Sequence, residues 1–348
     1  MPKVAVIIVN YNGERYLPAL FGSIFKYPSK VDFKLFFIDN SSQDDSVKFV
    51  QSCYPQAEVL KQEENLGFAA GNNVGLRLAL EQGFDYAMLL NQDTRVTEGY
   101  LDLLVKAMEQ DESIAAVQPK LLMFPRTDLI NSLGNKIHYL GFGYTYGYLK
   151  PNDDSLVFSK EINYCSGAAC LIRISALKIS GLFQENFFMY HEDLDLGWRF
   201  KLMGYKNIIE PSAVVYHQYE FSRSIKKYYF MERNRFLVML QNYHFLTLFL
   251  ILPALVIMEL AVFLFSFKNG WWREKLKIYG YFFYRKHWQM IFKNRNKTQA
   301  LRKLTDRKTV SDFSGLIEHQ EVSNILLDKI ANPIFNLYWR IVKQIIIW

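Results

Sequence analysis

Three times before residue 95 a short apolar run stops in a knot of polar side chains. Residues 4–9 end at Asn10-Tyr11-Asn12-Gly13, residues 33–38 at Asp39-Asn40-Ser41-Ser42, and residues 86–90 at Asn91-Gln92-Asp93-Thr94. Stretches with helical spacing lie between them, at 17–25, 44–50 and 72–81, and a further short strand reads at 57–60. Continuous apolar strands separated by helices build a parallel sheet covered on both faces. Ligands of such sheets bind beyond the carboxyl ends of the strands. Three separate segments therefore deliver polar groups to one edge, and function is expected there.

Two more strands are predicted, at 168–174 and at 208–216, the second ending on His217. Between them "FFMYHEDLDLGWRF" puts Glu192, Asp193 and Asp195 in the first turn of a helix. Acids there stabilise a helix start; the same dipole keeps a carboxylate ionised, as a general base requires. Residues around Asp39 read either as a Ser/Asp helix cap or as a carboxylate facing a nucleotide. Gly67 and Gly71 flank a helix start, where backbone amides favour an anion. In residues 125–163, "HYLGFGYTYGYL" alternates aromatics with glycine and reads as an exposed hairpin or lid.

The three cysteines, Cys53, Cys165 and Cys170, are odd in number and lack Cys-x-x-Cys spacing. That argues against a disulfide framework and a zinc site, and fits a reducing compartment. The apolar run at 4–9 is too short for a signal peptide, so the N-terminal region is expected in the cytosol.

Taken together, the motifs resemble those of the inverting glycosyltransferases of family 2, over roughly residues 3–240. "VIIVNYN" resembles the opening nucleotide-binding strand and turn, "DNSSQDDS" the Asp-Asn-x-Ser-x-Asp-x-Ser segment, and "NLGFAAGNN" the Asn-x-Gly-x-x-x-x-Asn segment. "NQD" stands where that family carries its Asp-x-Asp metal motif, and "GAACLIR", "FFMYHEDLDLGWR" and "YYFMERN" are similar to acceptor-side elements of its bacterial rhamnosyltransferase-like branch. The resemblance implies an α/β chain of the GT-A nucleotide-diphospho-sugar transferase fold, a mostly parallel sheet with helices on both faces. It implies donor contacts from Val9, Asn10, Tyr11, Asp39, Asn65, Gly67, Asn72, Asn91 and Gln92. It implies Mg²⁺ or Mn²⁺ held by Asp93 and His217, with Asn91 replacing the first acid by an amide. One carboxylate is enough where substrate phosphates complete the shell. Asp193 is the implied base, with Glu192 the alternative; Tyr190, His191, Asp195, Trp198 and Arg199 are implied on the acceptor side. The implied reaction moves a sugar, dTDP-rhamnose favoured as donor and a UDP-sugar next, to a lipid-linked saccharide of a bacterial surface polysaccharide. Rival readings are a processive polysaccharide synthase, a nucleotidyltransferase and a non-catalytic nucleotide-sugar binder. The Gln-x-x-Arg-Trp motif of the first and the Gly-rich Arg/Lys loop of the second are missing.

Beyond residue 222 the composition changes, which divides the chain into a catalytic domain at 1–222, a connecting helix at 223–244, a hydrophobic segment at 245–267 and a basic, aromatic helical region at 268–348. The 23 apolar-rich residues at 245–267 are long enough to cross a bilayer, but Glu259 near the middle and basic residues on both flanks oppose crossing. A helical hairpin kinked at Pro253 and resting in the inner leaflet is expected, on the cytoplasmic face of the bacterial inner membrane, monotopic rather than single-pass. Residues 268–308 hold thirteen Lys and Arg against Glu274 and Asp306, in a chain whose net charge is only +7. So local a surplus points to a polyanion; with no nucleic-acid module in sight, an anionic membrane surface fits better than nucleic acid. Lys275, Lys277, Arg285 and Lys286 are expected to face headgroups.

Overall fold

The computed structural model describes residues 2–153, 158–219, 228–317 and 327–348. The chain divides into two compact units. The first comprises Met1–Asn135, Thr145–Phe200 and Tyr205–Tyr219; the second comprises Lys136–Tyr144, Lys201–Gly204 and Glu220–Trp348.

The strands are β1 (Lys3–Asn10), β2 (Asp32–Asp39), β3 (Glu58–Lys61), β4 (Tyr86–Asn91), β5 (Thr94–Val96), β6 (Ile114–Met123), β7 (Ile130–Ser132), β8 (Asn135–Ile137), β9 (Gly143–Thr145), β10 (Glu161–Ile162), β11 (Ala169–Arg173) and β12 (Lys206–His217). The main sheet runs β10-β12-β6-β11-β4-β1-β2-β3, with β5 on β12 and β7 on β6. Parallel pairing joins β3, β2, β1 and β4, and also β6 and β12, while β11 runs antiparallel between β4 and β6. The first-unit helices are α1 (Leu17–Lys26), α2 (Ser46–Cys53), α3 (Gly67–Glu81), α4 (Tyr100–Met108), α5 (Ile174–Ser180) and α6 (Glu192–Leu202).

Strand β1 shows why the sequence is apolar without alternation. Val4, Val6 and Ile8 enter one core with Phe21 of α1 and Leu104 of α4. Ala5 and Ile7 enter the opposite core with Leu76 of α3 and Leu177 of α5. Helix α3 begins at Gly67, five residues before its sequence pattern does. Gly71 and Gly75 let it lie close to the sheet, since a Cβ on Gly75 would stand 2.6 Å from Ile7.

The stretch expected as an exposed lid is corrected. It supplies β7 to β10, and Ser132, Ile137, His138, Tyr139 and Leu140 are buried. Its aromatics are core residues: the Tyr139 ring stacks on Trp339 with centroids 4.7 Å apart, inside the second unit.

The expected hairpin at Pro253 is also corrected. Phe245–Lys268 is one 24-residue helix with Pro253 inside it. A proline removes one helical hydrogen bond. Here Thr247, Ile251, Ala254, Met258 and Ser266 are buried from the first turn to the last, so packing holds both halves in line. Glu259 is paired, not bare. Arg235 bonds it, and Lys275 Nζ lies 2.8 Å from Glu259 and 2.5 Å from Glu232. Arg235 also reaches Glu232 at 3.1 Å, and both Arg235 and Lys275 are fully buried. Burial works to raise the Glu232 carboxyl, but Arg235 and Lys275 outweigh it and bring its pKa down to about 2. Lys275 is therefore a core residue, not a headgroup contact, and Arg235 is not part of an exposed basic flank.

Candidate active site

Parallel register places Asn10 opposite Asp39, and Val9 opposite Asn91. The polar ends of β1, β2 and β4 thus share one sheet edge, as the sequence pattern requires. Asn10 Nδ2 donates to Asp39 Oδ1 at 3.1 Å and to Ser42 Oγ at 2.9 Å; the Ser42 amide returns a bond to Asp39 Oδ2 at 3.1 Å. Ser42 Oγ also accepts from the Asn12 amide. Gln92 Oε1 accepts from the Tyr11 amide at 2.8 Å, tying the first loop to the third. Tyr11 itself is 47% exposed beside these buried groups. Asn10 Oδ1 is buried and has no hydrogen-bond partner.

Helix α3 starts against this edge. Asn65 Oδ1 accepts from the Gly67 amide, and Asn40 Nδ2 donates to the Gly67 carbonyl. Asn72, buried, bonds the Phe68 carbonyl of its own helix. The Asn65 and Asn72 side chains thus shape the loop and helix start. Gly67 has φ +78°, and a Cβ there would collide with Phe188.

Asp93 and His217 lie far apart in sequence and meet through antiparallel pairing of β5 with β12, which sets Thr94 opposite His217. Asp93 Oδ1 stands 3.4 Å from His217 Nε2. His217 Nδ1 lies 3.0 Å from Asn131 Oδ1, so the ring's second nitrogen is held by an amide while the first faces the carboxylate. Asn131, in the misread lid, had no signal in the sequence. Among the described residues no three His, Cys, Asp or Glu side chains gather into a metal site. One carboxylate oxygen and one imidazole nitrogen, both aimed at the same point, do fit a divalent cation whose remaining ligands come from a diphosphate.

The two candidate bases are distinguished by their surroundings. Asp193 Oδ2 accepts from the Gly167 amide at 3.0 Å and Oδ1 from the Leu194 amide at 2.8 Å. Burial raises the Asp193 pKa, and these amides work against the rise. Glu192 is buried, Oε2 lacks any hydrogen-bond partner, and its pKa is pushed up strongly by burial and then by the Asp193 charge. The two carboxylates thus differ in what opposes burial: two backbone amides hold Asp193, and Oε2 of Glu192 has no partner. The next residue along from Gly167, Ala168, accepts from the Asn91 amide at 2.9 Å. Asp193 is thereby tied to the strand end that leads into Asp93.

The loop in front of this pair is strained. Phe188, Tyr190 and His191 all have φ between 65° and 68°, as do few non-glycine residues, and Asn12 and Ser41 are also left-handed. Five of the six such residues described thus sit in segments of this edge. Strain of this kind persists where surrounding structure enforces it, commonly at active sites.

Three residues expected on the acceptor side lie in the interior. Asp195, Trp198 and Arg199 are buried. Arg199 bonds Asp195 at 2.9 Å and the carbonyls of Ser180, Gly181 and Leu182. Its fork pins α6 to the end of α5, because a buried guanidinium needs acceptors on every side. Tyr190 and His191 are only partly buried and remain at the edge.

The sequence model of glycosyl transferase family 2 matches residues 5–178, half of the chain. An N-acetylglucosaminyl-diphospho-decaprenol L-rhamnosyltransferase of Mycobacterium tuberculosis is 25% identical over 236 residues, covering 61% of this chain and 75% of that protein. S. aureus TarS 1–349 in complex with UDP superposes with TM-score 0.50 at 17% identity, over 98% of this chain and 90% of its own. GalNAc-T7 with UDP, GalNAc and Mn²⁺ superposes with TM-score 0.52 at 14% identity, over 63% of this chain and 44% of that one. The two structural likenesses speak for the fold, and the chain spans less than half of GalNAc-T7.

Proposed function

This chain belongs to glycosyl transferase family 2, and on that premise we propose that it is a metal-dependent inverting transferase acting on a lipid-linked saccharide. The observation that carries the proposal is the single sheet edge holding the Asp93–His217 pair and, through Gly167 and Ala168, the amide-held Asp193. In this reading Val9, Asn10, Tyr11, Asp39, Asn91 and Gln92 line the nucleotide side, with the Gly67 turn beneath. Asp93 and His217 hold Mg²⁺ or Mn²⁺, and Asn131 keeps the imidazole aimed. A divalent cation bound there supplies positive charge against the departing nucleoside diphosphate. Asp193 takes the proton of the acceptor hydroxyl as its oxygen bonds to the anomeric carbon and the bond to the diphosphate breaks. One displacement with one base inverts that carbon. Burial and the Asp193 charge raise the Glu192 pKa, so Glu192 favours its protonated form beside Asp193.

The donor favoured is dTDP-rhamnose, with UDP-sugars next. The mycobacterial relative is named for rhamnosyl transfer to a lipid diphosphate saccharide, which supports both the donor and the acceptor class. The S. aureus structure holds UDP, which supports the alternative. In this reading the protein works on the cytoplasmic face of the bacterial inner membrane, attached monotopically, and a lipid-linked acceptor would suit that location. The test is a panel of nucleotide sugars incubated with protein and metal, reading nucleoside diphosphate release and the anomeric configuration of the product. Asp93→Ala is expected to abolish turnover and metal-dependent nucleotide binding. Full activity in that variant removes Asp93 from the metal site.

A further inference from the structure

We propose that the helical unit carries a two-helix raft for an anionic lipid surface: the Phe245–Lys268 helix lies in the membrane plane instead of crossing it, and the Asn332–Ile345 helix adds a second lipid-facing stripe. This deepens the membrane attachment proposed above and rests on it.

The most apolar stretch of the long helix has mean hydropathy 2.7, yet only 17% of it is buried. A core helix of a soluble protein would be mostly covered. Its bare side is continuous: Phe249, Val256, Leu260, Leu264 and Phe267 are exposed at spacings that share one face. Its other side is attached from end to end. Thr247 donates to Asp306 at 2.5 Å near the start, Glu259 joins the Arg235 and Lys275 cluster past the middle, and Ser266 is buried near the end. A crossing would carry that cluster, and Asp306 with its Arg302 partner, into hydrocarbon, where charged groups are expensive even when paired. Lying flat, the helix offers acyl chains only its apolar stripe.

The second stripe is independent of the first in sequence. Ile334, Leu337, Ile341 and Ile345 are exposed, while Phe335, Trp339 and Val342 face inward. The two helices touch, since the Tyr338 hydroxyl donates to the Leu250 carbonyl at 2.5 Å. Charge identifies the occupant as lipid. In the same unit, the Trp272–Tyr281 and Arg285–Ala300 helices expose Arg273, Lys277, Arg285, Lys286 and Lys293. Between those helices Phe283 is 86% exposed. Basic side chains in the same unit as bare aliphatic and aromatic ones suit anionic headgroups over acyl chains; a second copy would bring like charge against like.

The test uses the full chain, with Cys53→Ser to remove its exposed thiol. Flotation is measured with vesicles of phosphatidylcholine, alone or mixed with phosphatidylglycerol. Ile334→Ser/Leu337→Ser/Ile341→Ser, all exposed and so compatible with folding, is expected to lower partition at least about tenfold on both vesicle types. Arg285→Gln/Lys286→Gln/Lys293→Gln is expected to lower it on the mixed vesicles alone. Fluorophores on cysteines introduced at Phe249, Val256 and Leu264 should show one common depth by nitroxide-lipid quenching. A deep centre with shallow ends means the helix crosses and overturns the proposal. So does unchanged partition of the triple serine variant, or a lipid-free dimer that this variant breaks. Donor turnover without vesicle binding sinks the raft and leaves the transferase; vesicle binding without turnover of any nucleotide sugar sinks the transferase and leaves the raft.

Discussion

At the sheet edge, Asp193 is held by two backbone amides, Glu192 is buried with Oε2 unpartnered, and neither has a cation within ion-pair distance among the described residues. In the helical unit, Glu232 and Glu259 are held by Arg235 and Lys275, and every partner is buried or nearly so. The two pairs of acids differ in what compensates them. Amides and burial leave a carboxylate free to gain or lose a proton within reach of a substrate. A cation on each side removes that freedom and turns the carboxylate into a brace. Asp195 follows the second pattern, although it lies two residues from Asp193: Arg199 holds it. Compensation, not position in the motif, separates the acids left without a cation from the braced ones.

The sharpest way to break this comparison is to neutralise one acid of each kind. Asp193→Asn keeps its shape and loses its basicity. Transfer should fall about 100- to 10,000-fold while donor binding persists. Glu192→Gln should leave transfer within about tenfold, by the same reckoning. If the Gln variant is the inactive one, the amide-held carboxylate is not the base.

In the helical unit the expected loss is of stability. Arg235→Met leaves Glu232 and Glu259 with Lys275 alone and should destabilise the protein by about 3–5 kcal/mol, read by denaturant melts. Replacing all four cluster residues together by apolar side chains of similar size should cost far less, since no buried charge then lacks a partner. Equal losses in the two cases would mean that shape, not charge, holds the cluster.

A smaller effect is expected from Asn131→Ala. Freed from its amide partner, His217 should hold Mn²⁺ about 10- to 100-fold less tightly in the presence of UDP, measured by electron paramagnetic resonance. Unchanged affinity would show that the Asn131 contact does not aim the ring.

The smallest concerns pH. The folded-state pKa of Glu192 lies above its ordinary value of 4.5. The folded protein therefore binds this proton more tightly than the unfolded chain does. Its contribution to stability is whole below the ordinary value and is lost as pH rises towards the folded-state pKa. Glu192→Gln cannot lose that proton, so its melting temperature relative to wild type should climb from pH 5 to pH 8. A constant offset across that range would place the ordinary carboxylate range around Glu192 after all.

Much of the candidate site is legible in the sequence. A parallel sheet buried on both faces needs strands without polar alternation, and polar groups can then appear only where strands stop; Asn10, Asp39, Asn91 and Asp93 follow from that rule. The family motifs added Asp193 and His217. Other features were invisible because they depend on partners far along the chain. Asn131 meets His217 across 86 residues, and Arg235 meets Glu259 across 24. Alternating glycine and aromatic residues fit a solvent-facing loop and a tightly packed core equally well, so "HYLGFGYTYGYL" gave no warning that Tyr139 stacks on Trp339.

The sequence by itself determined the strand–helix order, the edge on which the polar strand ends gather, the family resemblance and the presence of one long apolar segment, because each depends on local spacing or on residues adjacent in the chain. Only the tertiary structure decided which acids a cation braces and which it does not, that Lys275 and Arg235 are interior, and that the apolar segment is one unbroken helix. The reason is that burial and charge compensation depend on the full set of neighbours around a side chain. For Glu259, Lys275 and Asp193, those neighbours are brought together by folding, not by sequence proximity.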